Sequence, residues 1–279
     1  MAVHGGKHAL VNGKPSVRTW SISDSHTPAK GVASNTKNGT LRRPGVMDWS
    51  GSYGAYGATP IVMPGDAFSF IGYTAPDDDV SGIGQTYEGN AIVDNVVISW
   101  NWANGEMLSH VVNFAGDLQL THTSGIYVDD SLPEALSVCG TKLEYDLDNT
   151  GYVELDNILS MQLTLSCALQ TYVNSSTACW TGRKAGPIDW TLAITQQDNI
   201  RAEIFDKGDR CKWKLFIDDT KFWELIWGQV RDFSGITCDR ETGAILQRSI
   251  NVDMDCHDGT DDGSVTNPLG TVWWPVAAV

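Results

Sequence analysis

Twelve residues, Asp146-Leu147-Asp148-Asn149-Thr150-Gly151-Tyr152-Val153-Glu154-Leu155-Asp156-Asn157, come nearest to a binding motif in this chain. Asp at the first and third positions and Gly at the sixth follow the calcium-loop pattern, in which carboxylates supply hard oxygen ligands and glycine the sharp turn. The twelfth position needs a bidentate glutamate and holds Asn157, and no helical periodicity flanks the loop. An acidic inter-domain turn is the plainer reading. The carboxylates between Asp253 and Asp262 suit a solvated tail. His4, His8, His26, His110, His122 and His257 are scattered, with no GxSxG nucleophile motif, no Gly-rich phosphate loop after a strand, and no CxxC spacing. No catalytic, cofactor-binding or metal residue is assigned, and an enzyme is not expected.

One charged pair does recur. Arg42-Arg43-Pro44-Gly45-Val46-Met47-Asp48-Trp49-Ser50 returns as Arg183-Lys184-Ala185-Gly186-Pro187-Ile188-Asp189-Trp190-Thr191, an offset of 141. At the same offset Trp20, Ile22 and Tyr53 fall on Met161, Leu163 and Ile194. At an offset of 138, Ile92, Asp94, Ile98, Gly105 and Leu108 meet Val230, Asp232, Ile236, Gly243 and Leu246. Ordered blocks of this kind indicate an internal duplication. Within it, Arg42, Gly45, Asp48 and Trp49, with Arg183, Gly186, Asp189 and Trp190, are the candidate site. Each Trp is expected to fill core, each Asp and Arg to brace a turn, and the arginines, exposed on that turn, to be available for subunit contacts.

The elements that must hold these residues read as strands. Val17–Ser23 gives a first strand and a polar excursion, 24–39, follows it as a long loop. Further strands are expected over 48–55, 66–73 and 89–102, with a hairpin at Asn104-Gly105 and a return from Met107. Leu159 to Val173 shows the cleanest alternation, its polar face being Ser160, Gln162, Thr164, Ser166 and Gln170. A hairpin turn is expected at Asp239–Gly243, and short helices at Ser131–Glu134 and Asp198–Lys207. The expected organisation is an arm (1–15), a first domain (16–121), a linker (122–157), a second domain (158–256) and an acidic tail (257–279).

A chain of 279 residues has room for two such cores. Its net charge of −15 repels nucleic acid, which excludes a DNA-gripping module but not a wall past which DNA must slide. No apolar run approaches the ~20 residues that span a bilayer, and the start has no signal-peptide core. All six cysteines lie from Cys139 onward, so disulfides are no shared framework, and reduced thiols are expected.

The block Arg42-Arg43-Pro44-Gly45-Val46-Met47-Asp48-Trp49-Ser50-Gly51-Ser52 resembles the Arg-x-Pro-Gly-Leu-x-Asp-Trp-Ser-Gly-Ser block of the major tail tube proteins of long-tailed bacteriophages. Tyr87-Glu88-Gly89-Asn90-Ala91-Ile92-Val93 is similar to their later Tyr-x-Gly-x-Ala-x-Val strand. The resemblance covers 16–121 directly and 158–256 through the repeat, where the later Tyr-x-Gly is lost. It implies a mainly β chain of two tandem antiparallel β-sandwich domains, each with a short flanking helix. It implies further copies as partners, three of them closing a pseudo-hexameric ring, with rings stacked into a tail tube in the virion. The loop 24–39 would reach the next ring. A tape measure protein and other tail proteins would be the other partners, with DNA passing through the lumen unbound, no membrane and no cofactor. A tandem carbohydrate-binding protein, with its Trp residues as sugar platforms, is the alternative.

Overall fold

Alternation sets the framework. Met161, Leu163 and Leu165 from one segment, and Trp190, Leu192 and Ile194 from another, are buried while their neighbours are wet. Such strands must lie with one face on a core and the other in solvent. The computed structural model describes residues 4–11, 17–31, 41–60, 62–76, 83–126, 138, 141–147, 149–197, 205–237, 247–256 and 263–273.

Six strands make the first half: β1 (His4–Val11), β2 (Val17–Gly31), β3 (Leu41–Tyr56), β4 (Ala67–Pro76), β5 (Ile83–Asn101) and β6 (Ser109–Ile126). The second half contains β7 (Leu143–Leu147), β8 (Val153–Glu154), β9 (Ile158–Cys167), β10 (Gln170–Tyr172), β11 (Gly182–Lys184), β12 (Ile188–Gln197), β13 (Arg210–Phe216), β14 (Phe222–Thr237) and β15 (Gln247–Met254). Two short strands follow, β16 (Val265–Thr266) and β17 (Val272–Trp273). The protein is mainly β, and its strand ladders are antiparallel.

Eight strands of a 15-stranded sheet run through both halves in the order β2-β3-β6-β5-β9-β12-β15-β14, which β13, β7 and β8 continue. Each half contributes the same series: first, second, fourth, third. The series also branches alike. β4 pairs the leading part of β5 and carries β1, and β13 pairs the leading part of β14 and carries β7. Register repeats with it. Trp20 faces Tyr53 across β2–β3, as Met161 faces Ile194 across β9–β12. Tyr53 faces Val112 across β3–β6, as Ile194 faces Ile250 across β12–β15. These pairs keep the offsets 141 and 138. In β5 and β14 the offset is 137, because Val93 faces Phe114 and Val230 faces Val252. Val230 therefore matches Val93 and not Ile92. Ile92 and Val93 are both apolar and both buried, and bulges follow at Val93/Asn95 and Val230/Asp232, so alternation is broken where the match is made.

The halves share a core. Trp100 of β5 donates its indole N–H to the Phe216 carbonyl (3.3 Å), and Trp223 of β14 donates to the Ala58 carbonyl (2.8 Å). In the first half Trp20 stacks edge-on against Phe70 (centroids 5.9 Å), and Phe70 lies 4.8 Å from Phe114, which brings β4 over β2 and β6. In the second half Trp213 of β13 is buried, 5.5 Å from Phe205.

Three expectations change. The excursion 24–39 is strand as far as Gly31, paired with β3 out to Leu41. Asp24 to Lys30 are all exposed, so this ribbon is held by backbone hydrogen bonds and shows no apolar alternation; residues 32–40 lie outside the described residues. The arm contains β1, and the 122–157 segment carries the end of β6 as well as β7 and β8, so neither is only a connection. One 3-10 turn, Ser175–Thr177, is the helical structure among the described residues. Ser131–Glu134 and residues 198–204 lie outside them, as does Asp239–Gly243, and residues 205–207 are not helical.

A pH effect follows from His110 of β6, which is buried and donates from Nδ1 to the Gly57 carbonyl (2.8 Å). Burial holds its pKa below the ordinary value, with the carbonyl contact opposing. The unfolded chain then takes up a proton that the folded chain resists. The contribution to stability is complete above about pH 6.5 and is lost as pH falls below it. His110→Gln is expected to flatten the dependence of melting temperature on pH between about 7 and 5; an unchanged slope would contradict this.

Candidate functional site at the junction of the halves

The repeated tryptophans are core residues with one polar tie each. Trp49 is 2% exposed and donates from Nε1 to the Leu118 carbonyl (2.9 Å); Trp190 is 0% exposed and donates to the Gly263 carbonyl (3.1 Å). Glycines make room for both rings. A Cβ on Gly89 or Gly116 would come within 2.6 or 2.1 Å of the Trp49 ring, and one on Gly228 within 2.4 Å of Trp190. The Tyr-x-Gly that the second half lacks at Gly89's position is thus replaced by Gly228 as the space for the indole. The repeated glycines, Gly45 and Gly186, serve a different contact. A Cβ on them would lie 1.8 Å from the Thr27 oxygen and 2.2 Å from the Ala168 oxygen, two positions that are themselves 141 apart.

Among the described residues, Arg183 does not pair with Asp189 of its own motif. Arg183, which precedes β12 and is only 8% exposed at its side chain, crosses to the first half and pairs with Asp48 (2.7 Å). Its guanidinium also donates to the Gly116 carbonyl, and its backbone N–H donates to the Asp117 carboxylate (2.8 Å). Alongside, the Met47 N–H donates to the Cys179 carbonyl (2.7 Å) and the Thr181 N–H to the Met47 carbonyl (2.9 Å), making a parallel bridge between Met47 and Trp180. The Leu118 N–H donates to the Thr181 carbonyl (3.0 Å). A segment of the second half, Cys179–Arg183, is therefore laid across β3 and β6 of the first. The expectation of an exposed Arg183 on a turn is corrected: the charge is desolvated, and it is tolerated because a carboxylate and a carbonyl receive it.

The same surface exists on the second half. Asp189 occupies the place of Asp48, and Asp255, by the 138 offset, that of Asp117, but Asp255 is ion-paired with Arg210 (2.5 Å). Asp189 is exposed, and no cation is paired with it among the described residues. Partial burial raises its pKa, the Trp190 N–H opposes this, and Asp253 adds to it. Asp253 accepts from Arg231 on one oxygen (3.0 Å), while its other oxygen is buried with no partner among the described residues. Arg42 sits in β3 opposite Lys30, and its side chain lies outside the described residues.

No chemistry of another kind gathers here. A hollow of about 240 Å³ beside the junction is lined by Asp24, Ser25, His26, Met47, Asp48 and Trp180. Among the described residues no three His, Cys, Asp or Glu side chains are placed to hold a metal. The Asp146 loop is the turn between β7 and β8. The Asp146 carboxylate faces inward and accepts from the Gly151 N–H (2.9 Å), and Asn149 accepts from Lys212 (2.6 Å); Asp148 lies outside the described residues. Trp49, Trp100, Trp190, Trp213 and Trp223 are fully buried and cannot serve as sugar platforms. No helix among the described residues is long and apolar enough to cross a membrane. No protein-family model matches this chain, and no curated protein matches it.

Proposed function

We propose that this chain is a structural subunit that polymerises with copies of itself into rings and a tube, of the kind that forms bacteriophage tail tubes. One observation carries the reading. The eight-strand run from β2 to β14 is two equal series joined edge to edge, β5 to β9, and it is bounded by β2 on one side and by β14, whose leading part carries β13, on the other. Among the described residues β2 has no strand on its outer edge, and neither does β14 beyond Val230. A long open edge is a template for another strand. Here the strand that fits β14 is β2 of a further copy, because β9, the counterpart of β2, already fits β5, the counterpart of β14. Repetition of one junction within and between chains closes a ring by rotation. Three copies would then present six similar units.

The wet face of the sheet suits a lumen. Ser21, Ser52, Asn113, Asn95, Ser166 and Asp189 form one cross-strand row, and Val111, Val97, Thr164, Thr191 and Asp253, which accepts from Arg231, belong to the next. Neither row holds Lys or Arg. Each cation on a wall would add a phosphate contact, and so friction for DNA, and neutral or acidic positions add none. Virion location, a tape measure partner and passage of DNA are parts of the same proposal. Light scattering on the purified chain tests it: a mass at three times the 30.4 kDa chain, or a multiple of that, is expected. A monomer at every concentration up to the solubility limit would overturn it.

A further inference from the structure

We infer that Arg42 of one copy forms an ion pair with Asp189 of the neighbouring copy, reproducing between chains the pair that Arg183 forms with Asp48 within the chain. The inference rests on the ring reading above and adds to it a named contact and a register. Arg183 and Arg42 occupy one position of the repeat, and so do Asp48 and Asp189. Arg183 reaches Asp48 because the second half is joined to the first through β9 on β5. If β2 joins β14 in the same way, the β5–β9 pairs transfer directly. Val97↔Thr164 becomes Ser234 opposite Ser23 of the next copy, and Val96↔Leu165 becomes Phe233 opposite Asp24.

That placement sets the start of β3 against the acidic edge of the second half. The receiving surface offers the corresponding positions, although Arg210 already holds one Asp255 oxygen (2.5 Å). Asp189 stands for Asp48, Asp255 for Asp117, and the backbone of Met254 for that of Gly116. Ile188 stands for Met47, and among the described residues no strand or bridge lies on its β15 side, where Cys179–Thr181 lies on Met47. The buried oxygen of Asp253, unpartnered among the described residues, adds an acceptor beside Asp189. The incoming surface is basic: Arg42 and Arg43 follow one another in β3, and the exposed Lys30 is the cross-strand neighbour of Arg42. Charge sign therefore agrees with the register that topology supplies.

Charge reversal on the full-length chain tests the pair. Assembly is followed by sedimentation against protein concentration, and folding by thermal melting at concentrations too low for assembly. Arg42→Glu is expected to leave the melt unchanged and to raise the concentration needed for assembly by about tenfold or more. Arg42→Glu combined with Asp189→Arg is expected to recover much of that loss, and Asp189→Asn, which keeps an acceptor for the Trp190 N–H, to lose assembly in part. Arg183→Glu, by contrast, should lower the melting temperature of the unassembled chain. Assembly of Arg42→Glu at the wild-type concentration, or a double variant no better than Arg42→Glu alone, would overturn the pair and leave the ring reading standing. A drop in the melt of Arg42→Glu equal to that of Arg183→Glu would also overturn it, by placing Arg42's partner inside its own chain. Failure of the wild-type chain to assemble would remove both.

Discussion

Trp190→Ala should destabilise the chain by about 3–5 kcal/mol, and Trp49→Ala by a similar amount. Each ring is enclosed, each is tied by one indole N–H to a backbone carbonyl, and each occupies the same position of the repeat. Removal leaves a cavity bounded by glycines, Gly89 and Gly116 in one half and Gly228 in the other, which have no side chains to close it. The abandoned carbonyls of Leu118 and Gly263 add the cost of unmet acceptors. Because β5 and β9 join the halves and Trp100 and Trp223 bond across them, both variants should unfold in one transition. Equilibrium denaturation measures this. A loss below about 1 kcal/mol for either would show that the two rings do not play one part.

Gly186→Ala has the next largest expected effect, about 3 kcal/mol, since the new methyl would meet a backbone oxygen 2.2 Å away and neighbouring strands would have to part. Gly45→Ala faces a still closer oxygen at 1.8 Å, but it lies in the exposed ribbon of β2 and β3, which can open by itself. It is expected to speed amide exchange through Asp24–Gly31 more than it lowers global stability. Gly105→Ala is the control. Its φ of 60° favours glycine, yet nothing lies within 4 Å of a Cβ there, so the cost should stay near 1 kcal/mol. If Gly186→Ala cost no more than Gly105→Ala, the repeated glycine would have some other reason.

The repeat was legible because its signals are those of a buried face. Trp49, Trp190, Met161 and Leu163 alternate with polar residues, and the offset of 141 read from them is the offset of strand register. Legibility failed where burial does not alternate. Asp24 to Lys30 are wet on both faces, so a strand there shows no apolar pattern, and its polar sequence reads as loop. At Ile92 and Val93 two buried residues stand together before a bulge, and the match slipped by one. The arginine–aspartate contact was missed for a different reason. Within one motif the residues stand close enough to suggest a braced turn, whereas the contact runs between motifs 135 residues apart, from Arg183 to Asp48. What could have revealed it is the conjunction of an Arg and an Asp that are both repeated with a chain that carries its own neighbour. Two repeats place one such pair inside the chain, and the ring reading would pair Arg42 with Asp189 between chains.

The central claim is that the junction inside the chain is also the junction between chains. Electron microscopy of the purified protein tests it most directly. The account predicts closed rings seen end-on with six similar lobes from three chains, alone or stacked into tubes, whose inner wall is a continuous sheet in which β2 of each chain lies beside β14 of the next. Dispersed single particles at high concentration, or an assembly in which the β2 and β14 edges face solvent, would contradict it.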